Sequence, residues 1–123
     1  MEIHWSNFQR LTRENISKYT VASPGVYLLW KKIARYEWTC FYVGQAQNLE
    51  HQLMDHLSST EPNRYLKETI ATSICGFQFS AIIKQPDRDA IEQYLFEKYQ
   101  PECNFQDPGG IPTLVNLPRS PRV

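Results

Sequence analysis

No stretch of the 123-residue sequence approaches the ~18 consecutive apolar residues of a membrane span, and the N-terminus lacks the apolar core of a signal peptide. The expectation is a soluble, cytoplasmic protein that does not engage a membrane. Cysteine is scarce. Cys40, Cys75 and Cys103 are odd in number, far apart and form no C-x-x-C. That argues against a disulfide framework and against structural zinc, and it fits reduced thiols. Neither sign of charge is in excess: 13 Lys and Arg balance 13 Asp and Glu. A dedicated nucleic-acid binder is usually more basic, so any phosphate contact must come from local patches. No internal repeat is visible, and the length fits one domain.

What is present is a sequence of short elements in alternating character. Residues 1–22 are mixed. Ser6 is placed to cap a short helix bearing Phe8 and Leu11, with a second weak helical pattern through Ile16 and Tyr19. Ser23-Pro24-Gly25 is a turn signal that launches a strand, Gly25–Trp30. Val26, Leu28 and Trp30 point to one face, Tyr27 and Leu29 to the other, and both faces are apolar, so this strand is expected to be central. Residues 31–38 read as a hairpin loop. Lys31, Lys32 and Arg35 within it make the clearest small basic patch, a candidate nucleic-acid contact. A second strand covers Thr39–Gly44.

Asn48 is placed to cap a helix whose stripe is Leu49, Leu53, Met54 and Leu57. Gln52 and His56, four residues apart, project together beside that stripe. A short helix over 64–71, a strand over 77–83 and a last helix from Arg88 to Tyr99, capped by Asp87 and stopped by Pro101, follow. In that last helix Glu92 projects between Phe96 and Tyr99, inside the apolar face. An inward carboxylate needs a donor, a cation or a proton. After Asn104 the chain becomes a Pro- and Arg-bearing tail. The order implies an α+β fold with a three-stranded, largely antiparallel sheet and packed helices. The inward-leaning polar set is Tyr27, Tyr42, His56 and Glu92, with Asn104 behind the last helix. Each member also has an ordinary structural reading, since strand tyrosines and helical histidines are most often core residues with a satisfied polar end.

At these residues the sequence resembles a known family. Gly25-Val26-Tyr27 and Tyr42-Val43-Gly44, with the tyrosines fifteen residues apart, look like the two halves of the motif that names the GIY-YIG nuclease superfamily. The run YVGQAQNLEHQLMDHL and the ending DAIEQYLFEKYQPECN are similar to the N-terminal cleavage domain of bacterial excision-repair nucleases. The resemblance spans residues 23–105. It implies a domain over 23–105, an N-terminal extension over 1–22 and an extended tail over 106–123. It implies a Mg²⁺- or Mn²⁺-dependent endonuclease acting on DNA. Tyr27 and Tyr42 would flank the scissile phosphate, His56 would assist acid–base work or phosphate contact, Glu92 would hold the metal, and Asn104 would be a supporting polar group.

Two positions depart from that pattern, and the first matters more. The family carries an arginine ten residues after the second tyrosine, where this chain has Gln52, and the lysine often found after the half-motif is Gln45. A glutamine brings one neutral hydrogen bond and no bidentate fork. Two readings follow: a slow endonuclease, or a catalytically degenerate module of the same fold that binds nucleic acid or, through its tail, a protein partner.

Overall fold

The computed structural model describes residues 1–123. In chain order its elements are β1 (Gln9–Arg10), α1 (Arg13–Tyr19), β2 (Gly25–Ala34), β3 (Glu37–Ala46), α2 (Leu49–His56), α3 (Arg64–Thr72), β4 (Cys75–Ala81) and α4 (Gln85–Tyr99). The sheet is antiparallel with order β1-β4-β2-β3, so it has four strands rather than the three expected. β2 is central as expected, and residues Gly25–Trp30 are buried on both faces. Tyr27 and Leu29 join Phe41, Phe77 and the helix residues Ile16, Leu49, Leu53 and Leu66 in one core. Val26, Leu28 and Trp30 join Val43, Ile91, Leu95 and the tail residue Val115 in another. The sheet is therefore sandwiched, with α1, α2 and α3 on one face and α4 on the other.

Where the structure departs from the sequence expectations, local chemistry accounts for it. Ser6 does not cap a helix. Its backbone N–H donates to Phe79 O at 2.8 Å and its Oγ accepts from Phe79 N at 2.9 Å, so it extends the sheet edge. The first helix is instead capped by Thr12, whose hydroxyl accepts from Asn15 N. The hairpin is longer than residues 31–38 as a loop would allow: Lys31 pairs with Thr39 and Lys32 with Trp38, leaving a tight turn with Tyr36 at φ 64°. β4 ends at Ala81, and Ile83 is exposed. Asp87 does not cap α4. The helix starts at Gln85 with Pro86 in its first turn, where a missing N–H leaves no bond unmade.

The segment after α4 is extended and packed. Gly110 N donates to Gln93 Oε1 at 3.0 Å, and Thr113 N donates to Ala90 O at 3.2 Å. Asn116 then binds Ile3 through both ends of its amide, at 2.7 and 2.9 Å, and accepts the Trp5 indole N–H on its carbonyl. The first and last residues of the chain thus cover the α4 face of the sheet together.

Candidate active site

The two half-motifs meet because β2 and β3 pair in register: Tyr27 stands opposite Gly44, and Tyr42 opposite Leu29. Gly44 is a spatial requirement. A Cβ there would lie 2.4 Å from Tyr27 Cζ and Oη, so the phenol can lie flat across the strand only above a glycine. Tyr27 is 1% exposed. Asn48 Oδ1 accepts from His51 N at 3.0 Å and starts α2 as expected. That helix carries His56 over both tyrosines, with ring centroids 5.6 Å from Tyr27 and 5.3 Å from Tyr42. The two phenol rings are 6.1 Å apart.

The tyrosines have different surroundings. Tyr27 Oη lies 2.7 Å from His56 Nε2 and is closed off from solvent. Burial first, then the negative charges around it, push its phenol well above the usual range. Tyr42 is partly exposed. It lines two adjoining grooves, one with Glu92, Asn63, Cys103, Asn104 and Phe105, the other with Gln52, Asp55, His56 and Glu61. Its phenol is also raised, by burial and by Glu61 and Glu92.

His56 is buried, and its other ring nitrogen reaches a residue that sequence reasoning did not select. His56 Nδ1 lies 3.0 Å from Glu61 Oε2, and the two side chains are 2% and 7% exposed. The second Glu61 oxygen accepts the backbone N–H of Asn63 at 3.1 Å. Desolvation lowers the His56 pKa, and Glu61 opposes that shift. The only sequence signal for Glu61 is an acidic residue five positions beyond His56, in a turn before Pro62; nothing in periodicity marks it.

Glu92 comes from the other layer. α4 lies against β3, an edge strand, so Glu92 reaches the groove around that edge and shares it with Tyr42. One of its oxygens accepts from Gln45 Nε2 at 3.0 Å, and the same amide donates to Asp89 at 2.8 Å. Burial raises the Glu92 pKa, the Gln45 hydrogen bond lowers it, and Asp89 adds a second raising influence. Asn104 lines the same groove as Tyr42 and Glu92. It bonds Val43 at both N–H and C=O, at 2.9 and 2.8 Å.

No group of three or more His, Cys, Asp or Glu side chains is arranged to hold a metal. Glu92, half-buried and at the groove, is the carboxylate that suits a hard divalent ion, because Mg²⁺ retains waters and takes one or two carboxylates. Gln52 lines the His56 groove as the helix geometry implied, and no Lys or Arg lines either groove. The basic triplet lies elsewhere. Lys31 is ion-paired with Glu102, while Lys32 sits 5.8 Å from the Trp38 ring centroid, which puts these neighbours on opposite faces of β2. Arg35 is at the hairpin tip, about 26 Å along the strand from Tyr27.

No protein-family profile matches the chain. The UvrABC system protein C of Geotalea daltonii is 30% identical over 84 residues, which is 68% of this chain and 13% of that protein. The chain therefore corresponds to a small part of that relative's length. Among solved structures, the GIY-YIG N-terminal endonuclease domain of UvrC from Thermotoga maritima, bound to its catalytic magnesium, matches with a TM-score of 0.60 at 22% identity. That match covers 75% of this chain and 93% of the domain. A point mutant of the same domain, bound to its catalytic divalent cation, matches with a TM-score of 0.60 at 20% identity, covering 76% and 94%. The resemblance read from the half-motifs therefore holds in sequence and in fold: this chain has the fold of a GIY-YIG endonuclease domain.

Proposed function

We propose that this chain, built on the GIY-YIG fold, is a slow, divalent-metal-dependent endonuclease domain acting on DNA phosphodiesters. The observation that carries the reading is the shared groove. Tyr42, backed by Tyr27 and His56, and Glu92, from the opposite layer, open onto one space at the β3 edge. Phosphodiester hydrolysis needs an activated water, a positioned phosphate and a cation on the developing charge. Tyr42 is the phenol that faces the groove and would touch the attacking water or the phosphate. Tyr27 and His56 form the buried polar chain behind it. Glu92 would hold Mg²⁺ or Mn²⁺, and the ion, when bound, would supply Lewis acidity on the phosphoryl oxygens. Gln45 steadies the carboxylate with a neutral hydrogen bond. Lys31, Lys32 and Arg35, which the hairpin splits between its two faces, would contact duplex backbone away from the cut.

The missing cation supports the word slow. Gln52 occupies the helix position where the family pattern has arginine, and neither groove contains another positive side chain. The same observation favours the second reading, a module that binds nucleic acid without cutting it. Nicking of supercoiled plasmid in Mg²⁺ or Mn²⁺ tests the proposal. Weak nicking that disappears in Glu92→Ala supports it. Binding without any nicking over long incubation supports the second reading.

A further inference from the structure

From the geometry around His56 we propose that Glu61 is a positioning residue, and that with His56 and Tyr27 it forms a buried proton relay ending at Tyr42. This rests on the endonuclease reading for its catalytic consequence, but its structural content stands independently. An ionised carboxylate only accepts hydrogen bonds. Glu61 Oε2 is 3.0 Å from His56 Nδ1, so the proton between them belongs to the ring nitrogen. In a neutral imidazole the other nitrogen is then an acceptor. Nε2 is 2.7 Å from Tyr27 Oη, so Tyr27 donates its hydroxyl proton toward His56. Glu61 therefore sets the tautomer, and the tautomer sets the direction of the whole chain.

Direction matters because Tyr27 cannot reach substrate. It is buried, with its ring against Gly44, whereas Tyr42 opens to both grooves. The Tyr42 ring lies beside the Tyr27–His56 pair, its centroid 6.1 Å from the Tyr27 ring and 5.3 Å from the His56 ring. In the forward step the attacking water gives a proton to Tyr42 Oη as its O–P bond forms. Tyr42 passes its own proton to Tyr27 Oη, and Tyr27 passes its own to His56 Nε2. The net result is a neutral pair of phenols and an imidazolium, with the positive charge held between Tyr27 and the Glu61 carboxylate. The alkoxide leaves from the far side of phosphorus as its P–O bond breaks and takes a proton from solvent, and His56 later releases its own proton to solvent through the phenols. The groups facing His56 are Tyr27 from β2, Tyr42 from β3, Asp55 from its own helix and Glu61 from the following loop. Tyr27 bonds Nε2 and Glu61 bonds Nδ1, and Asn63 N–H fixes Glu61 in place.

Replacement of Glu61 by glutamine preserves shape while allowing the amide to donate to Nδ1 and reverse the tautomer. The test uses the whole chain with ¹⁵N-labelled histidine. In the wild type the imidazole nitrogens of His56 should report Nδ1–H with unprotonated Nε2 near neutral pH, and in Glu61→Gln the assignment should reverse or mix. Metal-dependent nicking should fall about 10²-fold or more, within the 10²–10⁴ range of acid–base catalysis, with little change in DNA affinity. Glu61→Asp should retain the wild-type tautomer and part of the rate, which a role in folding alone would not produce. Nε2–H in the wild-type protein overturns the relay whether or not the protein cuts DNA. Nicking that Glu61→Gln leaves unchanged, in a folded protein with a reversed tautomer, overturns the catalytic role. A wild type that does not nick, yet shows Nδ1–H, refutes the endonuclease reading and leaves the positioning role standing.

Discussion

Gln52→Arg should raise metal-dependent DNA cleavage. The perturbation is local: residue 52 lies one turn before His56 and lines the groove with Tyr42, His56 and Glu61. A guanidinium there would be the first positive side chain in either groove. One preorganised donor on a developing oxyanion is worth about 2.7–4 kcal/mol, or 10²–10³ in rate. A charge pair 4 Å apart at an effective dielectric near 20 is worth about 4 kcal/mol, the same order. The competing effect is also visible. Asp55 and Glu61 line the same groove and could draw the guanidinium away from phosphate, so the gain belongs at the lower end of that range. The assay is nicking of supercoiled plasmid by wild type, Gln52→Arg and the double variant Gln52→Arg/Glu92→Ala. The gain should require Glu92. A folded Gln52→Arg protein with no gain would refute the electrostatic argument and favour the binding-module reading. Strong wild-type nicking abolished by Glu92→Ala would show that a different cation already serves the phosphate.

Gly44→Ala should destabilise by about 1–3 kcal/mol, because its methyl would overlap Tyr27; urea unfolding measures this, and an unchanged midpoint would mean the strands part at little cost. His56 is buried with a lowered pKa, so the unfolded chain binds the extra proton first. Its contribution to stability is present above pH ~6.5 and is lost as pH falls toward the folded pKa, so the urea midpoint should drop between pH 7.5 and 5.5. His56→Gln should flatten that slope, and an equal slope would assign it to other groups. Neutralising Lys31, Lys32 and Arg35 together should weaken duplex DNA binding and reduce its salt slope; an unchanged slope would locate binding elsewhere on the surface.

How much of this was legible depended on the range of each interaction. The central hairpin, the Asn48 cap and the meeting of Tyr27, Tyr42 and His56 follow from period and register, which act over a few residues. β1 did not show, because two residues carry no period and its existence depends on pairing with Phe77 and Gly76. Pro86 was ambiguous for a related reason: the same residue can end a strand or open a helix, and the backbone around it decides. Glu92 read correctly as an inward carboxylate, but its partner Gln45 lies forty-seven residues away on another element. Glu61 was missed because its side chain turns back onto a helix that has already ended, a choice set by the Asn63 N–H and the buried imidazole. Asn104 was expected as a supporting polar group; it lines the groove, and its amide also bonds both backbone groups of Val43, a pairing that sequence pattern does not reveal.

That engagement has a consequence for how the molecule behaves in company. β3 is the exposed border of the sheet, and a border strand offers unpaired backbone groups to any other extended chain. Here Asn104 answers both the N–H and the C=O of Val43, and Cys103 N donates to Phe41 O at 3.0 Å. Two residues after the last helix thus imitate a neighbouring strand just where the sheet would otherwise be open to addition. Solubility at high concentration would then depend on a side-chain amide beside the groove. Without it, Val43 would offer its N–H and C=O to other extended chains, with Cys103 still holding Phe41.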